Sequence, residues 1–175
     1  MTRGGPWSTR PNWKGSSVTG EKHVRVVFVC TGNICRSPMA ESMTRRALDD
    51  AGLGDRVSVS SAGTEGWHAG KGMDPRAAAE LEAHGFDTAH VAAQLSEPDH
   101  SADLVVALDS GHHSHLLAAG IDDARVRRIR TYDPGADGAD VADPYYGDAS
   151  DFTRTRIQIA AALPGLLAEV RNLLG

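Results

Sequence analysis

The chain has 175 residues, 18 basic and 23 acidic, and a formal net charge of −5 at pH 7. That length suffices for the core of one domain, the acidic balance argues against a nucleic-acid binder held by a basic surface, and no apolar run approaches the length of a membrane span. Two cysteines in one short stretch are not a disulfide framework and fit a reducing compartment such as the cytoplasm.

Residues 1–22 are rich in Gly, Pro, Ser, Thr and Lys and have no periodicity, so they read as a disordered tail ahead of a domain over 23–175. The tail lacks a signal peptide's apolar core. It holds Trp7 and Trp13, two of the three tryptophans. It is either an extension without a role or a docking segment that orders on binding.

Val24 to Val29 is an apolar, β-branched run broken only by Arg25 and reads as a buried strand. Met39 to Ala51 reads as a helix, with Ser37 suited to the N-cap and Pro38 to the first helical position. Between them lies Cys30-Thr31-Gly32-Asn33-Ile34-Cys35-Arg36-Ser37. A strand, a tight loop and a helix N-terminus gather unpaired N–H groups and the positive end of the helix dipole on one point, which makes an anion site. Gly32 permits backbone conformations other residues avoid, and Asn33 tolerates the left-handed region. Inward-pointing loop amides form a nest for an oxyanion. The dipole and Arg36 favour a thiolate at Cys30, the candidate nucleophile. Arg36 offers a planar fork for two phosphate oxygens. Ser37 is placed to donate a hydrogen bond to the Cys30 sulfur and make it a better leaving group. Cys35 is a candidate redox partner: peroxide is expected to oxidise Cys30 to a sulfenic acid, which Cys35 captures as a disulfide.

Arg56 to Ser61 alternates Val57 and Val59 with polar residues and reads as the second strand. Gly63 to Gly72 carries four glycines around Trp67 and His68. Trp67 either walls a cleft for an aromatic group or caps the core edge, and the residues alone do not choose. Asp74-Pro75 opens a helix over Arg76 to His84, which Gly85 and Phe86 end as a Schellman motif. That capping role removes Asp74 as a candidate acid. Asp103 to Leu108 reads as a third buried strand, and a short helix follows from Asp109-Ser110. His112 and His115 on that helix read as a solvated face, because two ligands do not make a tetrahedral metal site.

Val126 to Thr131 reads as the last, edge strand. Tyr132 to Tyr146 is a long loop of the kind that carries function, with two competing Asp-Pro pairs, Asp133-Pro134 and Asp143-Pro144. Phe152 to Leu174 has helical apolar spacing, and Pro164-Gly165 predicts a kink or a break in it. Alternating strands and helices predict a flavodoxin-like, three-layer α/β fold. Its sheet is parallel, four-stranded and ordered 2-1-3-4, with helices on both faces and the cysteine loop at the switch point.

The stretch Cys30 to Glu41, CTGNICRSPMAE, resembles the signature of the low-molecular-weight protein tyrosine phosphatases. The likeness extends from about Val24 to the C-terminus, through Ser61-Ala62-Gly63-Thr64, Trp67-His68, the Asp74 to Gly85 helix and Asp143-Pro144-Tyr145-Tyr146-Gly147. It implies that residues 23–175 are a phosphatase domain. Between the Asp-Pro pairs it selects Asp143 as general acid and base, and it lines the substrate cleft with Trp67, Tyr145 and Tyr146. Cys30 would attack phosphorus in line while Arg36 and the loop amides hold the equatorial oxygens. Asp143 would protonate the leaving phenolate, then take a proton from the water that hydrolyses the phosphocysteine. No cofactor and no metal are needed. The expected substrates are phosphotyrosine proteins, and the expected inhibitors inorganic phosphate or vanadate. The expected setting is a monomeric cytoplasmic enzyme of bacterial signalling.

Four rival functions are weaker. Arsenate reductases share the loop but use further cysteines, and this chain has only Cys30 and Cys35. A phosphocarrier would not need Arg36 or a general acid. A phosphotyrosine reader would not need an intact nucleophile. A zinc site through Cys30 and Cys35 lacks the usual spacing. The serious rival substrate is phosphoarginine. Similar proteins that hydrolyse it tend to carry Thr at the position of Ile34, where a hydroxyl helps position the attacking water. Ile34 offers only an apolar branch. In one departure from the family, Ala92 and Ala93 stand after His90 where Lys or Arg is common.

Overall fold

The computed structural model describes residues 20–175. The expected tail over 1–22 lies outside these except for its end, and Trp7 and Trp13 lie outside them altogether. Four strands, β1 Val24–Cys30, β2 Val57–Gly63, β3 Leu104–Ala107 and β4 Val126–Arg128, pair in parallel in the order β2-β1-β3-β4. Four α-helices accompany them: α1 Arg36–Asp50, α2 Pro75–Ala83, α3 Ser110–Ala118 and α4 Ala149–Leu174. The order reverses beside β1, so the loop after β1 opens into the switch-point crevice.

The pleat of β1 divides the interior in two. Val24, Val26, Phe28 and Cys30 face a core built with Met39 and Met43 of α1, Leu81 of α2 and Phe152, Ile159 and Leu166 of α4. Val27 and Val29 face the other core, with Val105, Ala107, Val126 and Leu116 of α3. Burial on both faces is why β1 and β3 read as nearly continuous apolar runs.

Several boundaries differ from expectation. Ser37 is not the N-cap of α1. The helix starts at Arg36, Cys35 takes the cap position, and no side chain caps it; the Ser37 hydroxyl faces Cys30 instead. The last strand stops at Arg128, because Ile129–Tyr132 winds into a 3-10 turn that α4 covers. α2 ends as expected: Gly85 has φ +77, its N–H donates to Glu82 O, and the Phe86 N–H donates to Leu81 O.

α4 runs unbroken through Pro164. A mid-helix proline costs about 3 kcal/mol. Ile159 and Ala162 before it and Leu166, Val170 and Leu174 after it are all buried, and large apolar side chains contribute about 1.5–3 kcal/mol each on burial. Packing outweighs the lost hydrogen bond. Gly165 serves contact rather than flexibility, since a Cβ there would sit 2.4 Å from Tyr132 O. Among the described residues α4 is the one helix long and apolar enough to cross a membrane by length and mean hydropathy, although its longest unbroken apolar run is 159–168; in this fold its apolar stripe covers the sheet.

Candidate active site

The segment Cys30 to Ser37 wraps from the end of β1 into α1. Asn33, with φ 56, is the turning point and is fully buried. Its side chain donates to Ser37 Oγ (2.8 Å) and Ser61 Oγ (2.9 Å) and accepts from the Ala93 N–H (2.9 Å). Its carbonyl lies 2.7 Å from His90 Nε2. Ala93 thus braces the loop from behind through its backbone N–H, while the Ala92 backbone bonds Gly70 and Lys71 in the loop that carries Trp67. Gly32 is not needed for a positive φ, contrary to expectation; a Cβ there would meet His68 Cδ2 at 2.9 Å, so the ring would have to shift. Gly63 in β2 is needed for room, because a Cβ would lie 2.6 Å from the backbone oxygen of Thr31.

The Cys30 sulfur lies 2.9 Å from Ser37 Oγ. Asn33 already donates to that hydroxyl, which leaves the Ser37 proton to point at sulfur. Cys35 is buried and, like Cys30, free. Burial, then the charges of Asp74 and Cys30, push its thiol well above the ordinary value.

Arg36 is almost fully buried. Its Nη1 donates to Asp109 Oδ2 (2.8 Å) and to Val141 O (3.0 Å), and its Nη2 lies 3.5 Å from Asp143 Oδ2. Burial would raise the Asp109 carboxyl, but hydrogen bonds and charge from His112 and Arg36 hold it below the usual carboxylate range.

An open cleft of about 290 Å3 lies over this loop. Its floor is Cys30, Thr31, Gly32, Ile34, Cys35 and Arg36, and its walls are Trp67, His68, Asp143, Tyr145 and Tyr146. Trp67 is 70% exposed, so it does not cap the core edge. Tyr145 and Tyr146 pack edge to face at 5.0 Å. Of the two Asp-Pro pairs, only Asp143 lines the cleft; the Asp133 carboxylate accepts from the Gly135 N–H and forms a local turn. Among the described residues there is no cluster of three or more His, Cys, Asp or Glu that would hold a metal.

Four supports escaped the sequence. Arg76 binds Asp74 and donates to Tyr145 O (2.9 Å) and Gly147 O (3.2 Å), which fixes the aromatic wall. Val141, fully buried, donates to Leu108 O and so seats the loop that delivers Asp143. His68 lies in the cleft, 6.4 Å from the Tyr145 ring. His112 is buried, not part of a solvated face, and its Nε2 lies 2.9 Å from Thr31 Oγ1.

The family model of the low molecular weight phosphotyrosine protein phosphatases matches residues 25–173. The chain belongs to this family. It is similar to low molecular weight protein-tyrosine phosphatase A of Mycobacterium tuberculosis, at 54% identity over 145 residues, 82% of this chain and 89% of the relative. Among solved structures, YfkJ from Bacillus subtilis superposes with a TM-score of 0.81 at 32% identity, covering 88% of this chain and 98% of its own. A Drosophila arginine phosphatase superposes at 0.76 with 28% identity, covering 83% and 96%. Family membership makes the chain a cysteine-dependent phosphatase and leaves open which phosphorylated side chain it prefers.

Proposed function

We propose that the protein hydrolyses phosphotyrosine in proteins through a phosphocysteine on Cys30. The observation that carries this is one cleft in which a buried thiol lies under Arg36 and Asp143 between Trp67 and the Tyr145–Tyr146 pair. Cys30 attacks phosphorus, and the bond to the phenolate oxygen breaks in line. Both protons of Arg36 Nη1 are held by Asp109 and Val141 O. The Nε–Nη2 edge is therefore the one that takes two equatorial oxygens. A bound phosphate replaces Asp143 against Nη2, which frees the carboxyl to serve the leaving phenolate as general acid. General acid catalysis of this kind contributes roughly 10²–10⁴ in rate. Water then attacks the phosphocysteine, with Asp143 as base. Ser37 stabilises the departing thiolate.

Substrate choice follows from reach and from Ile34. A cleft with tall aromatic walls grips a phenyl ring along its length, and phosphoserine or phosphothreonine would leave phosphorus short of Cys30. Ile34 carries no hydroxyl to position water for phosphoarginine turnover. Parallel kinetics on matched peptides should give phosphotyrosine at least about tenfold the kcat/KM of phosphoarginine, a difference of about 1.4 kcal/mol in transition-state binding. Inorganic phosphate and vanadate should compete in the same assay. Equal or reversed efficiencies would remove Ile34 and the tyrosines as the source of specificity. The free, buried Cys30 and Cys35 suit a reducing compartment, so we read the enzyme as cytoplasmic, which cell fractionation would test.

A further inference from the structure

Two ends of the phosphate loop meet the first turn of α3. Arg36 reaches it through Asp109, the N-cap of that helix, whose Oδ1 also accepts from the His112 N–H at 2.8 Å. Thr31, next to the nucleophile, reaches it through His112. The imidazole is 5% exposed. Its Nδ1 lies 3.1 Å from Asp109 Oδ1, too poorly aligned for a hydrogen bond. A carboxylate only accepts, so the ring proton belongs on Nδ1, where it faces negative charge, and the lone pair on Nε2. Nε2 then accepts, and the Thr31 hydroxyl donates. Burial and the Arg36 charge, against the pull of Asp109, Asp143 and Asp140, push the ring down to about 4, which keeps it neutral near pH 7.

We propose that His112 is a positioning residue for the phosphatase reaction, its Nε2 accepting the Thr31 hydroxyl and fastening the rim beside Cys30 to the same helix turn that holds Arg36. Without it, the only side-chain tie from α3 to this rim is lost, while the Arg36–Asp109 pair stays. The Thr31 amide, part of the oxyanion nest, then samples orientations that do not meet phosphate. Because the transition state needs every donor aligned, kcat falls more than KM rises.

The inference rests on the proposed phosphatase reading, so the experiment has an arm that does not need turnover. Kinetics on a phosphotyrosine peptide and the affinity for inorganic phosphate would be measured for the parent chain, His112→Ala, Thr31→Val, the double variant and His112→Gln. His112→Ala and Thr31→Val should each lower kcat about tenfold and weaken phosphate binding severalfold. The double variant should fall no further than either single, because both remove one hydrogen bond. His112→Gln, whose Oε1 stands near the site of Nε2, should recover to within about threefold of the parent. Losses that multiply in the double variant, or parental kcat and phosphate affinity in Thr31→Val, would overturn the proposal. If His112→Ala does not fold, Thr31→Val and His112→Gln still decide it. A parent chain that binds phosphate but turns over no phosphotyrosine would count against the function alone, and the phosphate arm would still judge His112.

Discussion

Asp143 pairs with Arg36 at 3.5 Å and is 41% exposed, so it can exchange that pairing for a substrate. A general acid matters only when the leaving group needs a proton. Asp143→Ala should therefore slow phenyl phosphate hydrolysis by roughly 10²–10⁴, and slow a substrate with a strongly acidic leaving group far less. Asp133→Ala should leave both rates near parental, because Asp133 sits in its own turn. If the effects of the two variants were exchanged, the wrong Asp-Pro pair would carry the acid. That Cys30, Arg36 and Ser37 meet in one loop was legible because they lie within eight positions between a strand and a helix. Asp143 was not legible from physics, since both Asp-Pro pairs satisfy the same local rules; the likeness to the phosphatases chose it. His112 was misread for a related reason. Its partner Thr31 is 81 positions away. One signal was present: Leu116, four residues on, is buried, and that spacing puts both on the inner side of α3.

At the scale of elements, the site depends on how closely β2 approaches the phosphate loop. Gly63 pairs with Cys30 across the sheet, and the Thr64 N–H donates to Cys30 O and the Glu65 N–H to Thr31 O. A methyl at Gly63 would meet three backbone atoms, Thr31 O at 2.6 Å, Glu65 O at 2.9 Å and Asn33 N at 3.2 Å. None of these is a side chain that can swing away. Gly63→Ala should lower stability by about 1–3 kcal/mol and weaken phosphate binding as well, because the same shift moves the nest. Urea denaturation and phosphate titration of this variant check both. A variant that lost stability with parental phosphate affinity would mean that the loop holds its shape without β2. The order of strands and helices was legible from periodicity, because burial on one or two faces imprints it. The element ends were not. α1 begins before its expected cap because the Ser37 hydroxyl bonds sulfur, and α4 ignores Pro164 because its stripe is buried on both sides.

For the whole molecule, the buried histidine that braces the site also links stability to pH. His112 is pushed from the ordinary 6.5 to about 4, by burial first and the Arg36 charge second. Above pH 6.5 it is neutral in both states and contributes no pH dependence. As pH falls below 6.5 the unfolded chain takes up a proton that the folded chain refuses until about 4. The unfolded state therefore gains, and stability drops across that window by roughly 3 kcal/mol, at 1.36 kcal/mol per unit. Asp74 and Asp109 act lower down and in the same direction. Burial would raise both carboxyls, but the Arg76 hydrogen bonds at Asp74, and the bonds and charges of His112 and Arg36 at Asp109, hold them below 3.8. Their contribution is whole above 3.8 and is lost as pH falls through the folded values. Unfolding free energies of the parent and of His112→Gln, measured by urea at intervals from pH 7.5 to 4, separate the two effects. The parent should lose stability steadily below pH 6.5. His112→Gln should be flatter over that interval by about the same 3 kcal/mol, and should meet the carboxylate-driven fall only near pH 4. Parallel curves for the two proteins would mean that His112 takes up its proton on the folded chain as readily as in water, and that the ring is not sealed between Thr31 and Asp109.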